Sequence, residues 1–218
     1  MSDFTYASLV LSKDVETAKG YLEAGRYLCE FNDKWSLLLT SDDNFFDIHG
    51  DLNVKDWFYA LSEKIPILYF HHPEEDEFGF LILHNRKCVS SLLIQYDYLT
   101  SANTLAIKFA KELYGKEEGF NYWHIDFGKE LGKQVIETNY RDKYIHQILS
   151  NTNLDNFKLF EFSDEVIDNL KKLLTWENVA NIEYLFDIAE NFMSIIGIQD
   201  LRFTSYERFM DGGEFKII

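Results

Sequence analysis

Short apolar blocks bounded by polar turns dominate the first 130 or so positions of the chain, and a three- and four-residue apolar repeat takes over toward its end. Residues 4–10 and 35–40 read as strands, with a helix between them that starts at Ser12–Asp14 and runs to about Leu28. After a turn at Ser41–Asn44, residues 45–48 read as a short extended stretch. Val54, Trp57, Phe58 and Leu61 then recur at helical spacing, up to the break imposed by Ile65-Pro66. Three strand-like blocks follow at 67–70, 78–83 and 88–96, joined by HHPEEDE and HNRK, spacings that suit antiparallel hairpins. A helix capped by Thr100 or Ser101 and stopped by Gly115 leads to a further strand at 122–127.

Beyond that point the pattern is helical. Short helices are expected at 129–136 and 141–149, and the polar run SNTNLDN at 150–156 is the best linker in the chain. Residues 157–162 read as extended. Ser163, followed by Asp164 and Glu165, opens a helix that reaches about Leu174. From Trp176 to Ile196, Ile182, Leu185, Phe186, Ala189, Met193 and Ile196 form one apolar stripe ended by Gly197. A last strand is expected at 201–206, and the DGGEFKII tail either frays or pairs with a sheet edge. Helices separated by pairs and triples of strands predict an α+β fold: a mostly antiparallel sheet with helices packed on one face, for which ferredoxin-like units are one solution, and a helical C-terminal subregion. The expected organisation is one domain over residues 1–218, with a soft boundary at 150–156.

Charge narrows the function classes. The 218 residues carry 37 acidic against 21 basic side chains, a formal charge of −16. Up to Ala110 there are 17 acidic and 9 basic residues and beyond it 20 and 12, so the excess is global and not a tail. Such a field repels phosphate backbones and anionic membranes and steers cationic partners inward, which argues against direct nucleic-acid binding. No run of 18 apolar residues suggests a membrane span, and no secretory signal pattern opens the chain. With only Cys29 and Cys88, in no metal or redox spacing, a cytoplasmic protein with reduced thiols is expected.

Candidate chemistry is sparse. No glycine-rich nucleotide loop and no GxSxG elbow is present, so neither a nucleotide fold nor a serine hydrolase is signalled, and no cofactor is expected. His71 and His72 precede the acidic run Glu74, Glu75, Asp76 and Glu77. Adjacent strand residues face opposite ways, so the expectation is a solvated hairpin loop offering charge to a partner, not a metal site. His124 and Asp126 share a strand face with Tyr122, which makes Tyr122, His124 and Asp126 an alternative polar site for an enzyme of untypical design. His49 and Asp51 repeat that spacing. Glu183, Asp187 and Glu190 stand at i, i+4 and i+7, with no Lys or Arg between Glu177 and Gly197. Like charges one turn apart cost a helix about 0.2–0.5 kcal/mol per pair, so a helix that keeps them is suited to a basic partner.

In this acidic, aromatic-rich composition the chain is similar to immunity proteins that neutralise basic bacterial toxins, and that resemblance implies a non-enzymatic protein that captures and inhibits a basic protein partner. The rival readings are the untypical enzyme and a nucleic-acid mimic that occupies a DNA-binding protein. Homo-oligomerisation remains compatible with all three.

Overall fold

The computed structural model describes residues 4–46, 51–73, 77–96, 99, 139–182, 185–201, 204–212 and 215–218. Six strands form one sheet: β1 (Phe4–Leu11), β2 (Arg26–Glu30), β3 (Trp35–Thr40), β4 (Ile67–Pro73), β5 (Glu77–His84) and β6 (Lys87–Gln95), in the order β2-β3-β1-β4-β5-β6 with every neighbouring pair antiparallel. Helix α1 (Val15–Lys19) joins β1 to β2, and α2 (Asp56–Ser62) joins β3 to β4. Up to β4 this is the βαββαβ connectivity of a ferredoxin-like unit, in which β1 is inserted between β3 and β4. The β5–β6 hairpin extends it. Asn85 and Arg86 both adopt positive φ, 52° and 59°, as a two-residue type I′ turn requires.

The sheet is buried on both sides. Alternate residues Leu9, Leu68, Phe70, Phe78, Phe80 and Ile82 enter the larger core, which the C-terminal helices cover. These are α3 (Tyr140–Ser150), α4 (Asp164–Leu173), α5 (Trp176–Ala180) and α6 (Leu185–Ile196), followed by α7 (Tyr206–Met210). The intervening residues Val10, Ile67, Tyr69, Leu81 and Leu83 enter a smaller core beneath α2 and Phe45–Phe46. An antiparallel sheet with a helical C-terminal region is therefore what the chain forms, and its second face is closed as well.

Aromatic packing fixes α6 on the sheet. Phe192 stacks on Phe80 at 5.1 Å and Phe70 at 6.0 Å, and meets Phe78 and Phe157 edge-on at 5.2 and 5.8 Å. Ile188, Ala189, Phe192, Met193 and Ile196 are all buried, at helical spacing. Helix α4 begins where Ser163 caps the Val166 N–H, and it carries Asp164 and Glu165 in its first turn and Lys171 and Lys172 in its last, matching the helix dipole.

Both edges of the sheet are occupied. On β6, the Asn156 and Thr152 side chains donate to the Val89 and Ser91 carbonyls at 2.7 and 2.9 Å, and Tyr144 Oη donates to the Leu93 carbonyl at 3.4 Å. On β2, the Glu30 N–H donates to the Lys216 carbonyl and the Ile218 N–H to the Leu28 carbonyl, both at 2.9 Å. The tail thus pairs with an edge and does not fray.

Several expectations are corrected. The first helix ends at Lys19, not near Leu28: Gly20 and Gly25, the latter at φ +84°, turn the chain so that Arg26–Glu30 becomes β2. Residues 150–156, expected as a linker, dock on β6. Leu154–Phe160 is a 3-10 helix, not extended, which plugs Leu154, Phe157 and Phe160 into the larger core. The 176–196 repeat is two helices, and the strand expected at 201–206 is a 3-10 turn at Gln199–Leu201 followed by α7. The helices expected at 100–114 and 129–136 and the strand at 122–127 lie outside the described residues.

Candidate functional site

The expected acidic binding residues separate. Asp187 is exposed on α6, opposite the buried stripe, and forms no ion pair with another described residue; Glu190 is half-buried on the same helix. Glu183, Glu74, Glu75 and Asp76 lie outside the described residues, as do Tyr122, His124 and Asp126.

Glu77 has a different setting from the solvated loop expected for it. It is the first residue of β5, and its carboxylate is held from two sides: His71 Nε2 lies 2.8 Å from Oε2, and Gln95 Nε2 donates to Oε1 at 2.7 Å. Nor are His71 and His72 loop residues. Strand β4 continues through both to Pro73, leaving them 3% and 6% exposed. They do face opposite ways, as adjacent strand residues must. His71 joins Tyr6, Phe46 and Tyr69 on the α2 side, while His72 packs edge-on against Phe70 and its Nδ1 lies 2.8 Å from the Glu77 carbonyl.

The register explains the pairing. His71 is opposite Gly79, which has no side chain between His71 and β6, and Glu77 is opposite Gln95. A Cβ on Gly79 would come within 2.7 Å of the Leu92 carbonyl, so the close approach of β5 and β6 here requires glycine. Glu77 spans this gap diagonally. On the inner side of His71, Nδ1 lies 3.3 Å from the hydroxyl of fully buried Tyr69, and that hydroxyl in turn accepts the Phe45 N–H at 3.4 Å.

One proton arrangement satisfies the chain: Phe45 N–H to Tyr69 Oη, Tyr69 O–H to His71 Nδ1, and His71 Nε2–H to Glu77, with Gln95 closing the far end. Burial pushes the imidazole below its usual range, so His71 is held neutral, though Glu77 opposes this. Burial alone would raise the Glu77 carboxyl, but the hydrogen bonds from His71 and Gln95 outweigh it and hold the group ionised below the usual glutamate value. The hydroxyl of Tyr69 is pushed well up by burial. With both imidazole nitrogens engaged and almost no exposure, His71 cannot reach a substrate. The arrangement orients Gln95 and supports the strand ends.

Asp43 is a second perturbed group. It lies between β3 and Phe45 and accepts the Tyr206 N–H at 3.2 Å, tying α7 to the sheet. Burial lifts its pKa to about 6; the hydrogen bonds from Tyr206 and its own N–H oppose the rise, and Glu207 and Asp42 add to it. Cys29 is buried and its thiol is pushed up to about 11 by that burial, the environment of an inert thiol and not a nucleophile.

Two clefts border these elements. One, of about 310 Å³, lies along β6 and α3 and includes Gln95 and Phe46 in its wall. The other, of about 710 Å³, lies beside α1 and β2, and its Lys13, Lys19 and Glu30 are already paired with Glu161, Glu16 and Lys216. Among the described residues no group of three or more His, Cys, Asp and Glu side chains is placed to hold a metal. Nor is any described helix long and apolar enough to cross a membrane.

By fold and site the chain is an antiparallel α+β protein in which buried Tyr69 and His71 are hydrogen-bonded on to partly exposed Glu77 and Gln95 at one end of the sheet. Comparison with protein-family models, with curated proteins and with solved structures gives no match for it.

Proposed function

We propose that this chain is a non-enzymatic acidic binding protein that captures, and by capture inhibits, a basic protein partner. The reading rests on α6. Its apolar side is committed to the core through Ile188, Ala189, Phe192, Met193 and Ile196, so its outer side is free to serve another purpose. That side carries exposed Asp187 in a stretch with no Lys or Arg from Glu177 to Gly197, and Asp187, Glu177 and Asp200 are exposed with no ion pair among the described residues. Elsewhere among the described residues acidic groups are widely neutralised: Glu16, Glu23, Glu30, Glu63, Asp155, Glu161 and Asp164 each pair with a lysine or arginine. With a net charge of −16, the overall field would steer a cationic protein inward.

The test is capture from a lysate of the source cells on immobilised chain, at low salt and at about 0.5 M salt, where the Debye length falls below 5 Å. A single basic protein is expected to be held stoichiometrically at low salt. It should be lost from the triple variant Glu183→Gln, Asp187→Asn, Glu190→Gln. Retention of no macromolecule, or equal retention by the triple variant, would overturn the reading.

A further inference from the structure

Residues 204–218 cross the β2 end of the sheet without entering its core. Thr204 is buried, and the Tyr6 N–H donates to its carbonyl at 2.8 Å, but none of the described residues beyond it is buried. The segment is attached at two places. Helix α7 rests on β2 through Tyr206 and Phe209, whose rings lie 6.2 and 5.0 Å from that of Tyr27. Residues 216–218 then add a short strand to β2. The backbone bonds Glu30–Lys216 and Leu28–Ile218 flank an antiparallel bridge between Cys29 and Ile217, and Lys216 Nζ lies 2.8 Å from Glu30 Oε2.

Between the two attachments the chain reads Asp211-Gly212-Gly213-Glu214. Gly212 has φ +103°, and a Cβ there would meet no described atom within 4 Å. That conformation needs glycine, yet nothing described packs around it, which are the properties of a hinge. The strand beyond the hinge carries its own complement to β2. Lys216 answers Glu30, Ile218 packs at the margin of the smaller core, and Phe215 at that of the larger one. A foreign strand at this edge lacks these contacts, whereas the same residues of another copy restore every one. The match selects a second copy of this chain as the occupant.

We propose that the β2 edge is a strand-exchange site, at which residues 215–218 of a second copy replace the chain's own and the exchange is reciprocal, giving a two-fold dimer. Closed and exchanged forms share the same edge contacts, so concentration decides between them. A short flexible link gives the chain's own strand an effective concentration on the order of 1 mM, and repulsion between copies of charge −16 adds to the advantage of the monomer. The exchanged dimer therefore dominates only where the hinge cannot close. The proposal goes beyond partner capture by α6 and has the opposite salt dependence: screening weakens capture and favours exchange.

The experiment measures mass by light scattering for the full chain and for a variant lacking Gly212 and Gly213, both carrying Cys88→Ser and Ile217→Cys. The deletion shortens the link by up to about 7 Å. The full hinge should give a 25.7 kDa monomer at about 20 µM, and the deletion a dimer of twice that mass, with a larger dimer fraction at higher salt. Oxidation should then join Cys29 to the introduced thiol within one chain in the first protein and between chains in the second, as non-reducing electrophoresis reads. Gly212→Pro with Gly213→Pro stiffens the link into an extended form without shortening it and should give the same dimer, which separates exchange from simple loss of the short strand. Deletion and proline variants that both stay monomeric at about 1 mM, or a dimer without a Cys29 bridge between chains, would overturn the proposal.

Discussion

Asp43→Asn should stabilise the protein at neutral pH and leave it unchanged in acid. Asp43 has its pKa raised from 3.8 to about 6, chiefly by burial, so folding favours its protonated form. A group raised in this way contributes its full stabilisation below the unfolded value and loses it as pH rises through about 6. A rise from 3.8 to about 6, at about 1.36 kcal/mol per pH unit, makes the ionised group cost up to about 3 kcal/mol above pH 7. Asparagine keeps an oxygen for the Tyr206 N–H and cannot ionise. The stability difference between variant and wild type should therefore be near zero at about pH 3, below the unfolded value, and grow across about pH 4–7 to a plateau of about 1–3 kcal/mol in favour of the variant. Urea unfolding at half-unit pH steps measures this directly, because the other carboxylates titrate alike in both proteins and cancel. A difference that does not vary with pH, or a variant less stable than wild type at pH 8, would refute the burial argument.

The buried chain makes the opposite prediction. His71 is depressed by burial, so wild-type stability should fall as pH drops through 6.5, the value the imidazole regains on unfolding, and His71→Gln should lessen that dependence in the same urea series. His71→Leu leaves the Tyr69 hydroxyl without its acceptor and Glu77 with Gln95 alone of its two side-chain donors; a loss of about 3 kcal/mol is expected, part of it recovered by adding Tyr69→Phe in a double-mutant cycle. Gly79→Ala drives a methyl against the Leu92 carbonyl at 2.7 Å, a backbone atom that cannot swing away, and should cost about 3 kcal/mol by denaturant midpoint. Phe192→Ala removes the ring shared by Phe70, Phe78, Phe80 and Phe157 and should cost about 3–5 kcal/mol, unless calorimetry finds the melting temperature unmoved.

Local signals in the sequence located the elements whose causes are local. Ser163 with Asp164 and Glu165 marks the start of α4 because capping and dipole effects act within one turn. The HNRK connection marks the β5–β6 hairpin because turn geometry is set by its own residues. Reading fails where tertiary contacts decide. Tyr27, Leu28 and Cys29 continue a plausible helical face, yet they become a strand because β3 offers a partner along Arg26–Glu30 and Gly25 can take the positive φ that turns the chain. The polar stretch 150–156 looks like a linker because its hydrogen bonds go to Val89, Ser90 and Ser91, far away in sequence. The candidate site was half legible for the same reason. His71 and Glu77 stand out as residue types, but that they pair, and that Gln95 completes the pair, follows only from the β4–β5–β6 register.

The closed edges bear on how any partner could be held. A sheet with a bare edge can add a partner's strand through backbone hydrogen bonds, a mode that asks little of the side chains. Here β6 has its outward carbonyls at Val89, Ser91 and Leu93 taken by Asn156, Thr152 and Tyr144, and β2 is paired with residues 216–218. Strand addition at either edge would first have to displace those contacts. Recognition of the proposed basic partner at the described surface would therefore fall to side chains, where carboxylates such as Asp187 on a helix fixed by Phe192 would supply charge at a defined position. Because α6 is packed against the sheet by five buried residues, its acidic side is held in place and would lose little entropy in the proposed capture. That is the physical condition under which an acidic helix discriminates among basic partners and does more than attract them all.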